Sequence, residues 1–137
     1  MKEDWDGAIS DFGEAINKKP DNADVYFRRG VAKYKKKDWN GAILDFDEAI
    51  NKKSDNARAY FNRGVVKFKK KEWNDAISDF VEAIRIKPDY EKACSNCAEC
   101  YRELAKIVND PTERTKNEDK AKEYEERAEK LRKKGKA

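Results

Sequence analysis

Apolar residues along this chain fall at helical spacing, and the pattern itself recurs. Ala8, Ile9, Phe12, Ala15 and Ile16 stand at offsets 0, 1, 4, 7 and 8. Ala42, Ile43, Phe46, Ala49 and Ile50 repeat the offsets, and so do Ala76, Ile77, Phe80, Ala83 and Ile84. At 3.6 residues per turn such positions form a single apolar stripe, so each set predicts one amphipathic helix, here called helix B. Between them, Tyr26, Gly30, Ala32 and Tyr34, then Tyr60, Gly64, Val66 and Phe68, predict a second kind, helix A, over about Ala23–Lys36 and Ala57–Lys70. Pro20-Asp21-Asn22, Ser54-Asp55-Asn56 and Pro88-Asp89 break the chain before each helix A. Asp6, Asn40 and Asn74 stand where an N-cap is expected before helix B.

The period is 34 residues, marked by Trp5, Trp39 and Trp73. Residues 23–56 laid on 57–90 give 21 identities in 34 positions. The chain therefore divides into a half repeat at 1–22, full repeats at 23–56 and 57–90, and a degenerate third helix pair at 91–137. In this last part Glu91–Val108 begins as a helix A, with Cys94, Cys97 and Ala98 at buried positions. Asp110 can cap a first turn that admits Pro111. A final helix is then expected from Glu118 to about Lys134, ended by Gly135. Its apolar residues, Ala121, Tyr124, Ala128 and Leu131, form a narrow stripe amid charge, as a capping helix requires.

Composition sharpens this reading. With 137 residues the chain holds one domain, and 44% of it is charged although the net charge is only +4. A mean hydropathy of −1.15 suits a thin, elongated fold rich in surface. No segment approaches the roughly 18 apolar residues of a membrane span. Three cysteines within seven residues do not make a disulfide framework, so a reducing, cytoplasmic setting is expected. Histidine is missing altogether, which removes the usual general base and the commonest metal ligand. Neither a nucleophile–base pair nor a ligand set can be assembled, so the expectation is a chain that is not an enzyme and holds no cofactor and no metal.

In period, residue types and helix breaks, residues 4–101 resemble the tetratricopeptide repeat. Gly30 and Gly64 match the family's glycine, Ala42 and Ala76, Phe46 and Phe80, and Ala49 and Ala83 its packing positions, and Pro88 its terminal proline, which Ser54 replaces one unit earlier. The resemblance implies an all-α fold, a right-handed α-α superhelix with a C-terminal capping helix. It also implies a concave groove lined by helices A that takes a peptide or a partner helix. Carried over by position, the groove residues are Phe27, Arg28 and Val31 with Asp24 and Lys35, then Arg58, Phe61, Asn62 and Val65 with Lys69, then Lys92 and Asn96 with Ser95 and Glu99. Chaperone adaptors of the family grip a C-terminal carboxylate with five polar residues. Here Asn62 and Lys92 match, while Phe27, Val31 and Asn96 stand in place of a lysine, an asparagine and an arginine. Two of five do not form that clamp, and the Phe27/Phe61 and Val31/Val65 pairs imply a more apolar ligand surface.

Three other features bear on function. Cys94, Cys97 and Cys100 lie inside a helix and lack a fourth ligand, so they read as small packing residues rather than a metal site. Lys33, Lys35, Lys36 and Lys37, echoed by Lys67, Lys69, Lys70 and Lys71, form a basic edge. They complement a helix C-terminus, and the alternative is phosphate contact with RNA or another acidic surface. The tryptophans, in the turn before helix B, read as packing. The expected function is a protein-binding scaffold or adaptor whose partner is a protein or peptide, with nucleic acid and membrane disfavoured. Helix B of the first unit also leaves Ile9, Phe12 and Ile16 with cover on one side only, which predicts self-association through the N-terminal helix.

Overall fold

The computed structural model describes residues 4–136. Seven helices follow one another: α1 (Trp5–Lys18), α2 (Ala23–Lys35), α3 (Trp39–Lys52), α4 (Ala57–Lys69), α5 (Trp73–Ile86), α6 (Glu91–Ile107) and α7 (Pro111–Gly135). Each packs on its neighbours in sequence, and beyond these only α2 with α4 and α4 with α6 touch among the described residues. The helices A (α2, α4, α6) therefore lie closer together than the helices B (α1, α3, α5). That asymmetry curves the stack and puts helices A on its inner face.

The closest approach within a pair is set by glycine. A Cβ added to Gly30 would sit 2.7 Å from Cε1 of Phe46, and one on Gly64 2.8 Å from Cε1 of Phe80. Both phenylalanines are fully buried. Phe27 meets Phe46 at 5.8 Å between ring centroids and Phe61 meets Phe80 at 5.7 Å, so the two pairs repeat one arrangement.

The A-to-B turns are tighter than the sequence pattern suggests. Lys37 and Lys71 adopt left-handed φ values of 69° and 62°. Around the first, Lys37 N–H donates to the Tyr34 carbonyl and Asp38 N–H to that of Lys33, which is the Schellman arrangement. Asp38 is thus already the N-cap of α3, its carboxylate accepting from Gly41 N–H at 3.1 Å. Asp4 caps α1 likewise through Gly7 N–H at 2.9 Å, while Glu72 precedes α5 without a side-chain cap bond. The N-caps expected at Asp6, Asn40 and Asn74 are therefore corrected two residues upstream, and before α3 and α5 the cause is a left-handed lysine that reverses the chain sooner than an ordinary loop. Trp39 and Trp73 become the first residues of their helices and pack on Tyr34 and Phe68 at 5.3 and 5.1 Å.

At the C-terminal end, α7 begins at Pro111 with Asp110 as its N-cap, so it is longer than the helix expected from Glu118. Proline at the first helical position costs no hydrogen bond, and the helix simply starts there. Ala121 and Ala128 are buried against α6, and Tyr124 stacks on Tyr101 at 5.9 Å. Arg102 and Arg132 converge on Glu125 at 3.1 and 2.9 Å, and Arg132 also reaches Glu91 at 3.3 Å. Among the described residues no helix is long and apolar enough to cross a membrane.

Candidate functional site

The inner face is an open apolar groove. Its central part is lined by Val31, Tyr34, Lys35, Phe46, Asn62 and Val65, where α2 and α4 diverge over α3. It continues toward α1 along Trp5, Ala8, Phe12, Phe27, Arg28, Val31 and Arg58. Val31 belongs to both stretches and joins them.

The residues expected to line this groove are not equivalent. Val31, Asn62 and Val65 line it directly. Phe27 is only 7% exposed and lies mainly in the core, with the Arg58 guanidinium 5.3 Å above its ring, so it reaches the groove only as part of its floor. Phe61 stacks on Tyr90 at 4.9 Å and carries structure as well as surface. Arg28 is held by Asp24 at 2.7 Å. Lys92 is exposed and Asn96 half-buried on α6, one repeat farther along the same face. Tyr34 and Trp5 line the groove as well. Both sit in the apolar pattern, but reading them only as packing residues hid this second role.

Ionic pairing distinguishes the groove further. Its acids are all matched on their own helices: Asp24 with Arg28, Glu99 with Arg102 at 2.8 Å, and Glu103 with Lys106 at 3.1 Å. Lys35, Arg58, Lys69 and Lys92 form no ion pair among the described residues. Lys35 and Arg58 thus border the apolar floor, and Lys69 and Lys92 repeat their positions one unit farther along.

The basic edge behaves differently. Lys33 and Lys67 reach Asp45 and Asp79 at 3.0 and 3.1 Å, Lys36 reaches Asp6 at 2.5 Å, and Lys70 reaches Glu72 at 3.5 Å. Half of the eight lysines are therefore neutralised within the chain, which weakens their field as a phosphate-binding strip.

A buried ionic ladder was not anticipated. Asp45 and Asp79, 2% and 3% exposed, each accept two hydrogen bonds from an arginine of the preceding helix, Arg29 and Arg63, at 2.7 to 3.0 Å. The free edge of Arg63 donates to Asp47 at 2.7 Å and so ties α4 to α3 as well as to α5. The signal was present: a charged residue stands inside both apolar stripes, and both arginines recur at the same repeat position.

Cys94, Cys97 and Cys100 are fully buried in α6. Burial pushes the Cys97 and Cys100 thiols up to about 12, because a thiolate there would lose its solvation. Ile16 is likewise buried, so the N-terminal surface expected from Ile9, Phe12 and Ile16 is corrected to Ile9 and Phe12, both half-exposed, with Phe12 also lining the groove.

Comparison with known proteins places this geometry. No curated protein matches the chain. A crystal structure of MamA superposes with a TM-score of 0.82 at 22% identity, covering 93% of this chain and 68% of that one. MamA from residue 41 to the end, from Desulfovibrio magneticus RS-1, gives 0.81 at 16% identity over 97% of this chain and 69% of that one. The chain spans about two-thirds of the length of these relatives. The first TPR of Spaghetti (RPAP3), solved bound to the HSP90 peptide SRMEEVD, gives 0.72 at 22% identity, over 74% of this chain and 80% of that one. At these identities the likeness is one of fold. The sequence itself carries the family: a TPR repeat model matches residues 2–37 and 32–71, and a tetratricopeptide repeat model matches 57–90. This all-α chain belongs to the tetratricopeptide repeat family.

Proposed function

We infer that the chain is a protein-interaction module that takes an acidic segment of a partner protein, with apolar anchors, into the groove between α2, α4 and α6. The observation that supports this reading is the pair of unmatched cations Lys35 and Arg58 at the floor formed by Val31, Tyr34 and Val65, repeated by the exposed Lys69 and Lys92 at the equivalent positions of the next repeat. An apolar anchor seated there removes surface from water at about 25 cal/mol per Å². The cations select the sign of the flanking residues and speed encounter. The role is that of an adaptor, for which an open groove with a charged border offers the binding surface.

A labelled peptide with alternating glutamate and leucine, measured by fluorescence anisotropy, tests this. Binding is expected to drop at least tenfold in Lys35→Glu/Lys69→Glu, whose exposed side chains leave the fold intact. A lysine–leucine peptide that binds as well, or a reversal variant that binds unchanged, refutes the assignment. A steep loss with salt for RNA, exceeding that for the acidic peptide at equal affinity, supports the nucleic-acid alternative instead.

A further inference from the structure

A second feature lies away from the groove. Arg29 and Arg63 occupy the same position in successive repeats, and both fix the following helix through two hydrogen bonds to a buried aspartate. Arg63 then uses its remaining edge, Nη1, to donate to Asp47 of the preceding helix. The residue equivalent to Asp47 for Arg29 is Gly13. A Cβ built there would meet only Nη1 of Arg29, at 3.9 Å, with nothing else within 4 Å. The cradle that holds a carboxylate in one repeat is thus repeated in the other without the carboxylate.

The third copy of the arrangement sharpens the point. There Val81 stands for the acid and Cys97 for the arginine, so both partners change together. Only at Gly13 is the acid gone while its arginine remains. Charge follows the same division. Arg63, Lys67, Asp79 and Asp47 sum to zero, whereas Arg29, Lys33 and Asp45 leave one positive charge. Lys52, whose ammonium lies 5.2 Å from the Tyr26 ring that also carries Arg29 at 5.7 Å, is paired with Glu48 at 3.7 Å and leaves that single positive charge unchanged. By helical register Arg29 points roughly 140° away from the row Phe27, Arg28, Val31 and Lys35, so this point is separate from the groove.

We propose that the gap at Gly13 is a carboxylate-binding site, filled by an aspartate or glutamate side chain of a partner protein lying across α1 and α2, which takes the place that Asp47 holds beside Arg63. The chemistry is a charge-assisted hydrogen bond from Arg29 Nη1, the same contact the chain makes with itself one repeat later. Such a contact fixes register more than it adds affinity, because a single partly exposed ion pair is weak.

The test uses hexaglutamate as the probe and the guanidinium NMR signals of both arginines as the readout. In the wild-type chain, Arg29 is expected to shift saturably, while Arg63, already neutralised, stays still. Gly13→Asp supplies the carboxylate from within and should reduce the Arg29 response at least tenfold. Gly13→Ala, which changes helix propensity alone, should keep it. Equal shifts at Arg29 and Arg63, no shift at Arg29, or a full response in Gly13→Asp would each overturn the proposal. Binding at the groove cannot produce the expected pattern, because Lys35→Glu/Lys69→Glu should leave the Arg29 shift in place.

Discussion

Replacing two glycines by the same residue should move stability in opposite directions. In a helix interior alanine is favoured over glycine by about 0.8–1.0 kcal/mol, and neither Gly13 nor Gly64 has a positive φ that would oppose the change. At Gly13 the new methyl meets only the tip of Arg29 at 3.9 Å, so the propensity term stands alone and Gly13→Ala should stabilise by about 1 kcal/mol. At Gly64 the methyl would lie 2.8 Å from Cε1 and 3.0 Å from Cδ1 of Phe80. Phe80 is fully buried and contacts Phe61, so it cannot swing into space, and α4 must lift off α5. Overpacking of this kind costs about 1–3 kcal/mol, which exceeds the propensity gain, so Gly64→Ala should destabilise by about 0–2 kcal/mol. Gly64→Leu, with three more carbons at the same contact, should unfold the protein at ambient temperature. Equilibrium urea unfolding followed by circular dichroism at 222 nm measures all three. If Gly64→Ala raised the midpoint as much as Gly13→Ala does, the close approach of α4 to Phe80 could not be real.

Arg63→Met leaves Asp79 buried with only Lys67 beside it, and should cost about 3 kcal/mol in the same assay, whereas a loss below about 1 kcal/mol would mean the ladder is solvated. Cys97 and Cys100 should stay silent to Ellman's reagent at pH 8 until urea unfolds the chain, since a thiol raised to about 12 is ionised there to only about one part in 10⁴. The sign of their pH effect follows from the same shift: above pH 9, the ordinary thiol value, the unfolded chain ionises and the folded one does not, so stability should fall as pH rises toward 12. A flat urea midpoint across pH 9 to 11 in the wild type, indistinguishable from a Cys97→Ala/Cys100→Ala variant, would contradict it. Self-association through Ile9 and Phe12 predicts a sedimentation coefficient that rises with concentration and is abolished by Phe12→Lys, and an invariant monomer in both chains rules it out.

The helices were legible because each stripe is both periodic and repeated, and Gly30 and Gly64 were legible because only a glycine lets a helix A settle onto the ring of Phe46 or Phe80. The helix B starts were misplaced because nothing in a run of lysines marks which of them turns left-handed, and Lys37 does so without glycine's help. At the groove, register identified Val31, Asn62 and Val65, yet register is blind to depth. Phe27 and Arg58 share a face, but one ring lies beneath the other residue's guanidinium. The pairing of Asp24, Glu99 and Glu103 on their own helices, which leaves the groove cations unmatched, depends on rotamers that spacing alone does not fix.

The neighbour-only packing of the seven helices has a kinetic and mechanical consequence. The side-chain link that reaches farthest along the chain in the ionic cluster of α7, Arg132 to Glu91, spans 41 residues, and no helix closes the stack back on its start among the described residues. Contacts this local place the chain among fast folders, since little loop entropy is lost before contacts form. They also mean that the chain can open as a moving boundary, helix by helix, because removing one end leaves the interior interfaces untouched. Pulled from its two termini, the chain should extend in small successive steps of about one helix or helix pair rather than in a single rupture. The array would then act as a compliant spring whose curvature, and hence the width of its groove, yields to load.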